Sequence, residues 1–141
     1  MAEGILRDIA KRNGLEIYTD SAGTGDWHIG ESPDRRAIAC LKSKGLNISD
    51  LTARQITKSD FTHFDFILTM DDSNYKNVLA LNPGSDSSAR IKPVLNYHPE
   101  YTGQSVPDPY FGGDEGFEHV YNLLDVALKA FVKTEYHENN G

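Results

Sequence analysis

Phe64-Asp65-Phe66-Ile67-Leu68-Thr69-Met70, followed at once by Asp71-Asp72-Ser73-Asn74, sets the fold class of this 141-residue chain. The first seven residues are mostly apolar and aromatic, the composition of a strand buried on both faces. The polar cluster behind them is a helix start, because Asp, Ser and Asn side chains accept hydrogen bonds from the unpaired amides of a first helical turn. The predicted helix carries Tyr75, Val78 and Leu79 and breaks at Asn82-Pro83-Gly84. Ile91 to Leu95 then reads as a shorter strand, where Pro93, having no N–H, favours an edge position. Strand, helix, strand is the unit from which parallel sheets are built.

The same alternation extends to both sides. Upstream, Thr57-Lys58-Ser59-Asp60 resembles a capping box for a short helix, with Asp where Glu or Gln is usual. Ser32-Pro33-Asp34 opens a helix through Ala37, Ile38 and Leu41 that stops at Gly45. Leu15 to Asp20 alternates as a strand with Ile17 and Thr19 on one face, ahead of a loop from Ser21 to Gly25. Ala2 to Asn13 is an amphipathic helix, with Ala2, Ile5, Leu6, Ile9 and Ala10 at helical spacing and Gly14 to end it. Downstream, Asn96 to Gly113 shows no period, and a loop of that length in a compact domain is more often functional than idle. Asp114 and Glu115 then start a helix whose apolar stripe is Phe117, Val120, Tyr121, Leu124, Ala127, Leu128 and Phe131.

These elements predict an α/β fold, a three-layer sandwich with a mostly parallel sheet flanked by helices. Residues 1–134 form one domain, and 135–141 is expected to be a frayed polar tail. One irregularity stands at the start. A crossover helix needs a strand before it, yet the first helix opens on the first residue with no capping side chain. The order of elements therefore implies a leading strand and turn that the sequence does not contain.

Composition narrows the function classes. A net charge of −7, with no cluster of Lys and Arg, disfavours nucleic acid and anionic membranes as partners. No apolar run is long enough to span a bilayer and no leader pattern opens the chain, so a cytoplasmic protein is the expectation. Cys40, the single cysteine, excludes an internal disulfide and a Cys-rich metal site. His28, His63, His98, His119 and His137 show no ligand spacing, so neither a metal nor another cofactor is expected. Asp71-Asp72 is explained by the helix cap, and Arg54 by a structural ion pair or a surface position. His28 stands apart from the other histidines because it follows Trp27.

The unperiodic stretch holds the residue of most chemical interest. In Val106-Pro107-Asp108-Pro109-Tyr110-Phe111-Gly112-Gly113 the two prolines stiffen the backbone around Asp108, and two rings follow it. Two readings are open: an acidic turn anchored by aromatic side chains, or a proton donor beside a flat substrate.

The ordered set Ser21-Ala22-Gly23-Thr24, Trp27-His28, Ser32-Pro33-Asp34-x-Arg36-Ala37, Ala53-Arg54-Gln55, Met70-Asp71-x-Ser73-Asn74 and Asp108-Pro109-Tyr110-Phe111-Gly112 resembles the low-molecular-weight protein tyrosine phosphatases over residues 1–133. The resemblance implies hydrolysis of phosphotyrosine proteins or small aryl phosphates through a phosphocysteine. It implies that Asp108 is the general acid, that Tyr110 and Phe111 flank the substrate ring with Trp27 on the opposite wall, and that Asp20 and Ser21 support the phosphate-binding loop. That loop, Cys-x5-Arg-Ser at the end of the first, central strand, has no counterpart in these 141 residues. Cys40 does not replace it, since position 46 is Leu46 and the cysteine falls within a predicted helix.

A strand and loop of roughly 15 residues are therefore expected ahead of Met1 in a longer parent. Without them the chain is expected to be inactive and to complete its sheet with another copy or a rearranged segment. The alternatives are a non-catalytic remnant that binds phosphotyrosine or a partner, and an arsenate reductase of the same fold. The single cysteine speaks against the latter, whose thiol relay needs several.

Overall fold

The computed structural model describes residues 1–23, 30, 33–82, 84, 88–109 and 113–136. Its elements are α1 (Ala2–Arg12), α2 (Arg35–Lys42), α3 (Asp60–His63), β1 (Phe66–Thr69), α4 (Asp72–Leu81), β2 (Arg90–Pro93), a 3₁₀ helix (Val94–Tyr97) and α5 (Gly113–Tyr136). β1 and β2 pair in parallel with Ile67 opposite Ile91 and Leu68 opposite Lys92, and α4 is the crossover between them. This is the expected α/β arrangement, helices around a parallel sheet.

α5 organises the packing. Phe117, Val120, Leu124, Ala127, Leu128 and Phe131 recur at a spacing that lines one side of a helix, and all are buried. Ile5 and Ile9 from α1, Ala37 and Leu41 from α2, and Val94 and Leu95 from the 3₁₀ helix join the same cluster. The sheet enters through alternate residues of β1. Phe66 and Leu68 pack against the cluster, and the Phe66 and Phe131 rings meet edge to face at 5.1 Å. Phe61 and Val78 are buried outside that cluster.

The local devices follow from side-chain chemistry. Asp71 caps α4 by accepting a 2.7 Å bond from the Asn74 N–H. At α3 the reciprocal half of a capping box is made by Asp60, which accepts from the Thr57 N–H at 2.8 Å. α1 has no capping side chain, as its sequence implied. Gly4 lets it approach its neighbour closely, because a Cβ there would collide with Ile48 Cγ2 and crowd Leu41 Cδ2 at 3.3 Å. Gly4→Ala should therefore destabilise the fold by about 1–3 kcal/mol, although alanine is the better helix former. Urea denaturation of the variant measures this, and an unchanged midpoint would mean that Ile48 yields freely.

Four expectations are corrected. Leu15 to Asp20 is extended and alternates in exposure as a strand should, but it joins no ladder among the described residues. A strand persists through pairing of its backbone groups, and the nearest pairing among the described residues is the isolated parallel bridge between Gly23 and Gln55 just beyond this segment. β1 is not buried on both faces: Phe66, Ile67 and Leu68 are half-buried and only Thr69 is fully so, since β2 is its single neighbour among the described residues. The cap of α2 is Asp34, whose carboxylate accepts from the Arg36 N–H at 2.8 Å, and Ser32 lies outside the described residues. The boundary at 134 also moves, because Glu135 and Tyr136 belong to α5. Glu135 accepts a 2.9 Å bond from the Tyr97 hydroxyl and faces Arg90 and Lys92 at 3.6 and 3.7 Å. Residues 137–141 lie outside the described residues.

Candidate active site

Asp108 stands on a loop tied to the C-terminal end of β1. The Val106 N–H donates to the Met70 carbonyl at 2.7 Å, one residue past the strand. The Ser105 hydroxyl accepts from the Asp72 N–H at 3.1 Å, in the first turn of α4. These two bonds anchor the loop at Ser105 and Val106, and the proline pair carries Asp108 outward from there to an exposed position. The carboxyl end of a parallel strand is where open α/β sheets place their ligands.

Asp20 and Ser21 come together at a second place, beside the start of α1. The Ser21 hydroxyl donates to Glu3 Oε1 at 2.6 Å, which fastens the end of the extended segment to the first turn of the helix. Asp20 accepts from its neighbour's amide, the Ser21 N–H, at 2.8 Å, and its other oxygen takes Arg54 Nε at 2.9 Å. Arg54 is thereby a bridge. Its two terminal nitrogens bind both oxygens of Asp60 at 3.0 and 2.9 Å, the fork-to-fork geometry that guanidinium and carboxylate share. Burial pushes the Asp60 carboxyl up, but the hydrogen bonds from Arg54 and the Thr57 N–H outweigh it and hold the group below the usual carboxylate range. Arg54 is shifted upward, first by its bond to Asp60 and then, against the cost of burial, by Asp20.

The ion pair read for Arg54 is thus present, with both partners now identified. Asp60 was missed as a member of this group. The Thr57-x-x-Asp60 pattern signalled its backbone role, but nothing local signals that an arginine six positions earlier and Asp20 would share it. Trp27, Tyr110 and Phe111, the three rings expected around a substrate, lie outside the described residues, as does His28.

Cys40 sits in α2, half-buried against the core. Burial pushes its thiol up, and nearby Glu118 pushes it further, which is the opposite of what a thiolate nucleophile requires. Among the described residues no group of three or more His, Cys, Asp and Glu side chains is placed to hold a metal. No helix among them is long and apolar enough to cross a membrane.

The family model for low molecular weight phosphotyrosine protein phosphatases matches residues 1–140. The chain belongs to that family. Among its relatives, the low molecular weight phosphotyrosine protein phosphatase of Sus scrofa is 40% identical over 136 residues, covering 94% of this chain and 85% of that protein. The phosphatase of the same description from Schizosaccharomyces pombe is 37% identical over 137 residues, covering 95% and 86%. In three dimensions the low molecular weight phosphatase chain is similar to the crystal structure of YfkJ from Bacillus subtilis, with a TM-score of 0.86, 34% identity, and coverage of 97% of this chain and 86% of that one.

Proposed function

We propose that this chain carries the acid half of an aryl-phosphate monoester hydrolase acting on phosphotyrosine proteins or small aryl phosphates. In the reaction the family resemblance implies, a cysteine thiolate bonds to phosphorus and the bond from phosphorus to the phenolic oxygen breaks. Asp108 gives its proton to the departing phenolate, then accepts one from the water that attacks the phosphocysteine. Tyr110, Phe111 and Trp27 are assigned to the walls of the ring site, and Asp20 and Ser21 to support of the phosphate loop beside α1. The observation that supports the reading is the double anchoring, at Met70 and Asp72 by the carboxyl end of β1, of the loop that carries Asp108. A hydrogen-bonded, proline-stiffened loop suits a proton donor that must meet its substrate in one geometry.

The nucleophile is a separate matter. No cysteine in the 141 residues is followed six positions later by arginine, and Cys40 is embedded in a helix with a raised pKa. The chain as it stands is expected to hydrolyse p-nitrophenyl phosphate no faster than buffer alone. Stopped or continuous absorbance assays decide this. Turnover abolished by Cys40→Ser would show another nucleophile at work and remove Asp108 from the central place given to it here.

Two further assignments belong to the same reading. A cytoplasmic location fits a thiol chemistry that requires reducing conditions. Self-association that extends the β1 edge is the expected state of the isolated chain, and sedimentation of the purified protein tests it, a monodisperse monomer being the contrary result.

A further inference from the structure

We propose that Asn13 is a site of spontaneous deamidation on this chain, gated by the last turn of α1. Asparagine is among the chemically labile residues. Its side-chain amide carbon can be attacked by the backbone nitrogen that follows, and glycine favours the attack because it has no Cβ to block the approach. The sequence holds two Asn-Gly pairs, Asn13-Gly14 and Asn140-Gly141, and the second lies outside the described residues. Every other described asparagine precedes a bulky side chain or, at Asn82, a proline. Asn13 and Gly14 are both exposed, and a Cβ at Gly14 would meet nothing within 4 Å, so solvent has access to the pair. The gate is the end of the helix itself. Asn13 Nδ2 donates to the Ile9 carbonyl at 2.7 Å, and the Gly14 N–H donates to the Lys11 carbonyl at 3.2 Å. Electrophile and nucleophile are thus each tied to α1, and both bonds must break before the two meet. Helix ends open at low cost, so fraying supplies the chance. These bonds are internal to residues 9–14, and the gate stands whether or not a strand precedes α1.

The steps balance with water alone. The Gly14 nitrogen gives its proton to a solvent base and bonds to Asn13 Cγ, the bond from Cγ to Nδ2 breaks, and ammonia leaves. Water then opens the cyclic imide at either carbonyl, giving aspartate or isoaspartate. Either product undoes the cap. Aspartate replaces a donor by a negative charge that faces the Ile9 carbonyl and the negative end of the helix dipole. Isoaspartate adds a methylene to the main chain ahead of Gly14, which shifts the Gly14 and Leu15 N–H groups off the carbonyls of Lys11 and Ala10. Leu15 packs on the central cluster, so the fault is carried from the surface into the core.

The test incubates the whole purified chain at mildly alkaline pH, folded and, in parallel, unfolded in guanidinium chloride. Peptide mass spectrometry that separates aspartate from isoaspartate follows each asparagine, with Asn140 read from its own peptide. Asn13 is expected to convert at least about tenfold more slowly in the folded chain than in the unfolded one, the protection of a hydrogen-bonded helix end, yet ahead of every other described asparagine. Gly14→Ala should slow conversion in the unfolded chain, where the helix plays no part. Asp8→Ala removes the 2.7 Å ion pair to Arg12 in the last turn, so it should speed conversion in the folded chain and leave the unfolded rate unchanged. Asn13→Asp, which stands for one product, should lower the guanidinium midpoint. Equal rates in the folded and unfolded chains would remove the gate. Absence of conversion at Asn13 in the folded chain, or another described asparagine ahead of it, would overturn the site.

Discussion

Asp108→Asn, made in a chain fused behind a strand that ends in Cys-x5-Arg-Ser, should lower the rate of phenol release by roughly 10² to 10⁴, the usual contribution of a positioned general acid. The fusion itself should first raise hydrolysis of p-nitrophenyl phosphate from background, because it supplies the thiolate and the anion cradle beside Ser21 and the start of α1. The size of the Asp108 effect should depend on the leaving group. A phenolate of low basicity departs without a proton, so the loss shrinks with p-nitrophenol and grows with phenol itself. That dependence separates proton donation from mere loop stability, since a variant that only loosened the loop would slow both substrates alike. Full activity of the Asn variant on phenyl phosphate would exclude Asp108 as the acid.

Arg54→Met should destabilise the protein by about 2–4 kcal/mol, close to the value for removing one partner of a buried ion pair and reduced somewhat because Arg54 is one-third exposed. Methionine keeps the apolar stem but leaves Asp60, whose side chain is 10% exposed, without its cation. The same bridge sets a pH dependence. Asp60 has a folded pKa below its unfolded one, so its stabilisation is complete above about pH 4 and is lost as pH falls through the lower folded value. Asp60→Asn should lower stability at pH 7 and flatten the acid limb below about pH 4. Urea midpoints measured from pH 7 down to the acid transition distinguish these outcomes. An acid limb of unchanged slope in the Asn variant would show that Asp60 does not govern it.

The elements legible in the sequence are those whose signals are local and sustained. α5 announced itself through a stripe maintained from Phe117 to Phe131, and α4 through the Asp71 cap and the break after Leu81. Leu15 to Asp20 shows where pattern stops short. Its alternation put Ile17 and Thr19 on one face, which is the less exposed one, but pairing depends on a neighbour that alternation cannot supply. Glu135 failed for a related reason. It read as part of a polar tail because Tyr97, Arg90 and Lys92, which hold it, are far away in sequence. At the candidate site, the stiff setting of Asp108 was visible in its two prolines, whereas the Asp20, Arg54 and Asp60 bridge joins segments separated by a helix and two loops.

The dominance of α5 also bears on how the chain is made. More than half of the buried central cluster comes from this one helix, among the described residues, and α1 packs directly against it. During synthesis, which adds about 5–20 residues per second, α1 leaves the ribosome long before its partner exists. The apolar face of Ile5 and Ile9 can meet Leu41 and Ile48 earlier, but it lacks α5 through nearly the whole of translation. Completion of the native core thus becomes a late event, which lengthens the time in which that face can meet a wrong partner.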